Sequence, residues 1–353
     1  MFNHKTILVT GGTGSLGKVL VRRILNGKAG TPGKVIVFSR DEAKQHEMRL
    51  SYLHKTVTTD EVIYRNFMNV LEFRIGDVRD YASVCSAVKG ADIIVNAAAL
   101  KQVPSCEYFP AEALMTNCMG AYNIVRAIGE NDYPVTTVVA ISTDKACKPV
   151  NVMGMTKSLQ ERIFISANIL QAGTRYIGVR YGNVLASRGS VIPLFHEQIR
   201  NGGPVTITVP GMTRFLLSLD RAVDTVFAAI KGAQPGEIYV PNAPSATVIN
   251  LAKALIGKRQ IKIKEIGMRP GEKLHEIMVS DEEANYCVRR GGFYAIKSML
   301  PELAGSRKEL NPLRGEFGSA QNVLDYPGTV ELLKRHRLMT GDKVKWDDGE
   351  LLR

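Results

Sequence analysis

Residues 6–10 (TILVT) form a short apolar run that ends in Gly11-Gly12-Thr13-Gly14-Ser15-Leu16-Gly17, after which Val19, Leu20, Ile24 and Leu25 recur at helical spacing. A strand, a glycine turn and a helix in that order constrain this chain more than any other stretch. The glycines allow a tight turn and a close approach of an anion to the backbone. The helix start offers that anion free N–H groups and the positive end of its dipole. The spacing is G-x-x-G-x-x-G, not G-x-G-x-x-G, so the flanking strand and helix carry the reading. It is a pyrophosphate-binding turn built from Gly11, Thr13, Gly14, Ser15, Leu16 and Gly17.

The next segments extend this into a dinucleotide site. Residues 34–38 (KVIVF) read as a second strand ending in Ser39-Arg40-Asp41. An acidic side chain there would bind an adenosine 2′-hydroxyl and select NAD, whereas arginine meets a 2′-phosphate. Ser39, Arg40 and Lys44 therefore favour NADP, the alternative being solvated surface charges. Residues 71–75 lead to Asp77 and Val78, at the expected adenine edge. Residues 92–96 lead to Ala97 and Ala98, small enough for the backbone to pass close to the cofactor. Further strands are expected at 135–141 and 176–181, with helices at 41–53, 80–89, 106–130 and 153–172. This alternation implies an α/β fold, a Rossmann-type doubly wound parallel sheet covered on both faces. Segment 55–70 reads as an insertion. Beyond Asn183 glycine and proline clusters break the pattern. The expected division is a dinucleotide-binding domain over 1–182, its sheet completed by a strand near 236–240. A smaller C-terminal α/β substrate lobe follows over 183–284, and then an unassigned extension over 285–353.

Composition narrows the setting. The chain has 353 residues, 45% of them apolar, enough for one large α/β unit or two closely packed lobes. No apolar run is long enough to span a bilayer, and the first residues lack the pattern of a secretory signal. The five cysteines are scattered without a C-x-x-C pair, which fits a reduced cytoplasmic protein without a metal site. The net charge of +12 invites anionic partners, but the basic residues are dispersed among 34 acidic ones. No basic run interleaved with aromatics points to nucleic acid.

The chemistry is carried by Ser142-Thr143-Asp144-Lys145 and by Met153-Gly154-Met155-Thr156-Lys157. The second stretch has the spacing of a Tyr-x-x-x-Lys pair, with methionine in place of tyrosine. A thioether has no ionisable proton. Either the protein is not an enzyme, or proton transfer has moved to Asp144 and Lys145. Met153 reads as a packing residue, and so does Cys147.

TGGTGSLG, FSRDEAKQ, GDVRD, AAALKQVPSCEYFPAEALMTN, STDKA, NVMGMTK, RYGNVLASRGSVIPLF, MTRFL and RPGEKLHE occur here in fixed order. In them the chain resembles the extended short-chain dehydrogenase/reductases. Within that group it resembles the soluble UDP-N-acetylglucosamine 4,6-dehydratases (5-inverting) of bacterial surface-polysaccharide biosynthesis. The resemblance covers about residues 5–280, with a tail match at 316–322, and the capsule-type branch itself carries methionine at the tyrosine position.

The resemblance implies an internal redox elimination, a hydro-lyase reaction on UDP-N-acetylglucosamine. NADP⁺ takes hydride from C4 and returns it to C6 after water has left across C5 and C6. Lys145 is the expected base at C5, which requires a depressed pKa. Asp144 is the expected acid at O6, which requires a raised one. Thr143 would bond near O4, and Lys157 would hold the nicotinamide ribose. Lys101 and Asn183 are expected at the sugar or phosphate, Arg214 and Arg269 at the diphosphate, and Glu272 at the uridine ribose. Helices 106–130 and 153–172 carry apolar faces suited to a homo-oligomer, a dimer or hexamer by resemblance. Two alternatives stay open: a nucleotide-sugar C3/C5 epimerase that does not dehydrate, and an inactive NADP-binding regulator.

Overall fold

In a computed structural model the chain is described at all residues except 54–66, 186–189, 304–312, 343–344, 348–349 and 353. The first half runs β1 (Thr6–Thr10), α1 (Ser15–Leu25), β2 (Lys34–Ser39), α2 (Glu42–Leu53), β3 (Leu71–Ile75), α3 (Tyr81–Val88), β4 (Ile93–Asn96), α4 (Val103–Tyr108) and α5 (Pro110–Ala113). A π-helical turn (Leu114–Met119) then leads into α6 (Gly120–Glu130), β5 (Thr137–Thr143), α7 (Val152–Leu170) and β6 (Arg175–Tyr181). The second half comprises α8 (Val191–Arg200), β7 (Val205–Ile207), β8 (Thr213–Phe215), α9 (Leu219–Gly232), β9 (Ile238–Pro241), β10 (Ser245–Thr247), α10 (Val248–Ile256) and β11 (Ile263–Glu265). After these come β12 (Ile277–Val279), α11 (Asp281–Ala284), β13 (Cys287–Arg290), β14 (Phe293–Ile296), β15 (Phe317–Gly318), β16 (Val323–Leu324) and α12 (Tyr326–Arg335).

The main sheet has nine strands in the order β13-β14-β9-β6-β5-β4-β1-β2-β3. β1 to β6 and β9 are parallel, and β14 and β13 add antiparallel at one edge. Side chains alternate between two cores. Ile7, Val9, Val35, Val37, Ile93 and Val95 pack with α1 and α9, while Leu8, Ile36, Ile94, Val138 and Ala140 pack with α3, α6 and α7. A strand buried on both faces reads as a continuous apolar run, which is why these segments stand out in sequence. α1 buries Gly17, Leu20, Val21, Ile24 and Leu25, one stripe at helical spacing.

Three expectations need correction. The helix expected over 106–130 is interrupted, because Phe109 leaves helical geometry and Pro110 cannot continue the helix that precedes it. The strand expected at 135–141 is displaced to Thr137–Thr143, which brings Thr143 into register with Tyr181. The division at residue 284 is not respected by the sheet. β13 and β14 extend the main sheet from within the supposed C-terminal extension, while β16 and α12 pack with β10 and α10. Most of the expected insertion at 55–70, and residues 186–189 beyond Asn183, lie outside the described residues.

A separate apolar cluster, including Phe195, Ile207, Leu216, Leu251, Leu255, Leu333 and Leu338, forms the core of the smaller C-terminal part. Arg180 ties the β12–α11 segment to the main sheet and to α7. It is buried, and its guanidinium donates to Glu161 on α7 (3.1 and 2.7 Å), to Glu283 on α11 (2.8 and 3.0 Å) and to the Met278 carbonyl on β12 (2.7 Å). Burial pushes the Glu283 carboxyl upward, but Arg180 outweighs this and holds it below the ordinary carboxylate range. Replacing Arg180 with alanine strands two buried carboxylates. The expected loss is about 3–5 kcal/mol, read as a lower urea midpoint at unchanged slope. The deficit should narrow as pH falls, because the stranded carboxyls then fold in their protonated form.

Candidate active site

The site lies at the C-terminal ends of the parallel strands. β1 and β4 are neighbours there, and their connections leave in opposite directions, which opens a crevice. Gly11 takes φ +63°, and a Cβ there would lie 2.8 Å from the Ala98 nitrogen and 2.9 Å from the Ala97 oxygen. A Cβ on Gly17 would lie 2.5 Å from the Gly12 oxygen. Gly14 is the exposed N-cap of α1 and supplies no side-chain cap, so the helix presents bare N–H groups. Thr10 Oγ1 donates to Asn96 Oδ1 (2.7 Å) and accepts from the Ala98 N–H (3.2 Å), fixing the two loops together. This cradle fits a pyrophosphate on geometry alone.

At the end of β2, Gln45 donates to Ser39 Oγ (3.0 Å) and to the Arg74 carbonyl (2.9 Å), which leaves the Ser39 hydroxyl proton to donate outward. Arg40 is half-exposed, with Nη1 3.7 Å from Asp77 Oδ2. Lys44 pairs with Asp41 at 2.7 Å. Asp77 accepts from the Arg79 backbone (2.9 Å) and from its Nε (2.8 Å). Desolvation raises the Asp77 carboxyl, yet Arg79 and Arg40 hold it low. Val78 is buried beneath α6, where its side chain occupies the space a Cβ on Gly120 would need.

Thr143 ends β5, and Asp144–Ala146 form a 3₁₀ turn capped by Thr143 Oγ1, which accepts from the Lys145 N–H. The turn is shaped by its neighbour: a Cβ on Gly154 would overlap the Lys145 carbonyl, so only glycine fits in this first turn of α7. Asn151 caps α7 by accepting from the Gly154 N–H (2.8 Å), and its amide donates to the Gly271 carbonyl (2.7 Å). That contact seats the 269–276 segment beside the 3₁₀ turn at Asp144–Ala146.

Asp144 is fully buried. Its Oδ1 accepts from Thr143 Oγ1 (2.9 Å) and from Lys145 Nζ (3.0 Å). Lys145 Nζ also reaches Asn183 Oδ1 (3.4 Å) and Glu276 Oε1 (3.4 Å), and Glu276 Oε1 lies 3.9 Å from Arg214 Nε. Asp144 Oδ2 and Glu276 Oε2 are buried without a partner. Lys273, half-buried, donates to the Cys147 carbonyl (2.7 Å), and burial pulls its ammonium downward against the pull of Glu276. Lys157 is buried on α7, donating to the Ile141 carbonyl and to Gln160 Oε1 (2.7 Å). Desolvation brings it down to about 8 despite Glu161 and Cys118.

The structure thus gathers Thr143, Asp144, Lys145, Asn183 and Arg214. It departs from the sequence reading in how Lys145 is tuned. Desolvation lowers its pKa, but Asp144 and Glu276 outweigh both this and Arg214, so the resting ammonium titrates above its ordinary value rather than below it. Glu272 accepts from the Arg269 N–H (3.2 Å) and closes its own loop. Arg269 is exposed on that loop, and Lys101 is exposed between β4 and α4. Arg214 is buried, donating to the Thr213 (2.7 Å) and Leu274 (3.3 Å) carbonyls. Glu276 and Lys273 were missed. Both stand in RPGEKLHE beside Arg269 and Glu272, and only the fold reveals which face of that stretch turns inward. Asn117, in the π-helical turn, clamps Leu100 (2.8 and 3.0 Å) and Thr156 (3.0 Å). Among the described residues, no cluster of three or more metal-ligating side chains occurs, and no helix is long and apolar enough to cross a membrane.

The sheet order and the glycine cradle define a Rossmann-type α/β fold. Residues 7–298 match the family described as "Polysaccharide biosynthesis protein", and the chain belongs to that family. A UDP-glucose 4-epimerase of Rickettsia typhi is 45% identical over 301 residues, 84% of each chain. The crystal structure of Pen from Bacillus thuringiensis is 32% identical, with a TM-score of 0.85 over 96% of this chain and 100% of that one. DesIV, a dTDP-glucose 4,6-dehydratase from Streptomyces venezuelae solved with NAD bound, shares the fold at 21% identity and a TM-score of 0.63, covering 76% of this chain and 86% of its own.

Met153 packs with Cys106 and Ala113 against Leu100, Val103 and Val152. The swap Met153→Leu roughly conserves volume and should cost less than about 1.5 kcal/mol while retaining most turnover. Lost turnover with melting temperature and cofactor binding intact would show that the sulfur takes part in the chemistry.

Proposed function

We propose that the protein is a UDP-N-acetylglucosamine 4,6-dehydratase that inverts C5, uses NADP, and yields a UDP-2-acetamido-2,6-dideoxy-4-hexulose for bacterial surface polysaccharide such as capsule. The observation that carries this reading is the buried Asp144–Lys145 pair at the end of β5. It sets a carboxylate and an amine 3.0 Å apart where an elimination needs an acid and a base. The family description supports the setting. When bound, the dinucleotide supplies the oxidation at C4 and the later reduction at C6.

The remaining steps fall to the chain's own groups. One proton passing from the Lys145 ammonium to Asp144 along their hydrogen bond produces a neutral amine and a carboxylic acid together. Desolvation by the bound sugar favours that neutral pair over the ion pair. Lys145 then takes the C5 proton, and Asp144 protonates the departing C6 hydroxyl. Thr143 bonds near O4. Lys157 is suited to the nicotinamide ribose, and its lowered pKa leaves part of it neutral near pH 8. Asn183 and Lys101 serve the sugar or phosphate, Arg214 and Arg269 the diphosphate, and Glu272 the uridine side. Five free cysteines, four of them buried, suit the reducing cytoplasm. Tyr108, Phe109, Leu114, Met115, Met155 and Leu159 are exposed on helical segments that pack together, a face suited to a homo-oligomer.

An epimerase that leaves the sugar hydrated is the second reading, favoured by the name of the Rickettsia typhi relative. Mass spectrometry of UDP-N-acetylglucosamine after incubation separates the two. Loss of one water, with solvent deuterium at C5 in D₂O, is expected. An unchanged mass with altered ring configuration would establish the epimerase instead. Lys145→Ala should abolish both the water loss and the C5 exchange while cofactor still binds.

The cofactor choice has its own test. Arg40→Ala should weaken NADP⁺ binding about tenfold to a hundredfold, the equivalent of a charge-assisted hydrogen bond of roughly 1.5–3 kcal/mol, and NAD⁺ binding far less. Equal losses in calorimetric titration would remove Arg40 from the 2′-phosphate site.

A further inference from the structure

Glu276 immediately precedes β12 and is held there by its backbone. Its N–H donates to Ser319 Oγ (2.9 Å), and its carbonyl accepts from the Ser319 N–H (2.7 Å). Ser319 is itself fully buried and bonded to Thr213 Oγ1 (2.7 Å). The strand is therefore positioned without help from the Glu276 carboxylate. That carboxylate is buried all the same, with Oε2 unpartnered. A buried, half-satisfied charge is costly to fold and calls for another explanation. Its other oxygen supplies one, lying 3.4 Å from Lys145 Nζ.

We infer that Glu276 is a positioning residue for Lys145: with Asp144 it anchors the ammonium, and its charge sets how readily that ammonium gives up its proton. The inference rests on the reading of Lys145 as the base. The groups facing Lys145 come from every neighbouring element. Asp144 lies on its own turn, Asn183 after β6, Arg214 on β8, and Lys273 and Glu276 on the 269–276 segment. Asp144 and Glu276 favour the charged lysine, whereas Arg214 and burial oppose it. When Asp144 takes up the proton it needs as an acid, its hold on Lys145 vanishes and Glu276 remains the only carboxylate of the cluster. Glu276 then keeps Nζ in place while Arg214 and Lys273 still favour the free amine. Arg214, Glu276, Lys145 and Asp144 form a row of alternating charge, so binding at Arg214 is felt at Lys145 through Glu276.

The test uses the full-length protein with cofactor, labelled at lysine with ¹³C and ¹⁵N, the Lys145 signal being assigned by its loss in Lys145→Arg. In Glu276→Gln the Lys145 midpoint should fall by about one to three pH units, the usual effect of removing an adjacent opposite charge. The acid limb of C5 solvent exchange should move the same way, since a base works only above its own pKa. Glu276→Asp retains the charge at a longer reach, so its midpoint should lie between the two. It also provides the measurement if the glutamine variant does not fold. An unmoved Lys145 midpoint in a folded, cofactor-binding variant would overturn the inference, whatever happens to turnover. Should the wild-type protein neither release water nor exchange C5, the proposed reaction fails, while the Lys145 titration still decides the role of Glu276.

Discussion

Arg180 is the interaction on which the site depends. Its position in β6 sets it beside Ser142 on β5, and its five donors are spent on α7, α11 and β12. Glu161, one of its partners, also accepts from the Ser142 hydroxyl. The turn that carries Asp144 and Lys145 begins two residues later, and Glu276 lies two residues before Met278. A single buried cation thus ties together the two stretches that carry the Asp144–Lys145 turn and Glu276. Arginine suits this place because its planar fork satisfies two carboxylates and a carbonyl at once.

Two lysines of this site show how far surroundings decide chemistry. Lys157 is buried among a carbonyl and an amide, and desolvation prevails. Lys145 is buried between two carboxylates, and attraction prevails. The same side chain is eased toward neutrality in one place and held charged in the other. In the proposed reaction the Asp144–Lys145 ion pair would yield an acid and a base together by one proton transfer, rather than by separate tuning of each group.

The fold was largely legible because its parallel strands are apolar on both faces and its glycines have steric reasons to be glycine. Gly11 and Gly17 leave no room for a Cβ, and Gly14 stands as the N-cap of α1. The order and type of elements up to β6 followed from the same alternation. What escaped was long-range. Nothing local announces that Glu276 rather than Glu272 turns inward, since Glu272 closes a loop on Arg269 while Glu276 meets Lys145 across 131 residues of sequence. The tuning of Lys145 was misjudged for the same reason, because the carboxylate that reverses it is remote in the chain. Pro110 did announce a break in the helix expected over 106–130, and that local signal was outweighed by the apolar run around it.

The second half of the chain does not form a bead on a string. After β6 it passes to α8, β7 and β8, returns through α9 and β9, leaves again for β10, α10 and β11, and comes back for β13 and β14 before leaving once more for β16 and α12. Such stitching removes the single swivel that would let one part swing like a door. A bend at any one crossing is opposed by the others, so the parts can only slide by small amounts or move at their loops. Within 269–276, the loop at Arg269–Glu272 rests on Asn151 through the hydrogen bond to Gly271, while Lys273 to Glu276 are held by Cys147, Thr213 and Ser319. With several crossings bracing it, the polar cluster around Lys145 can keep its spacing while the loops at the mouth of the crevice shift.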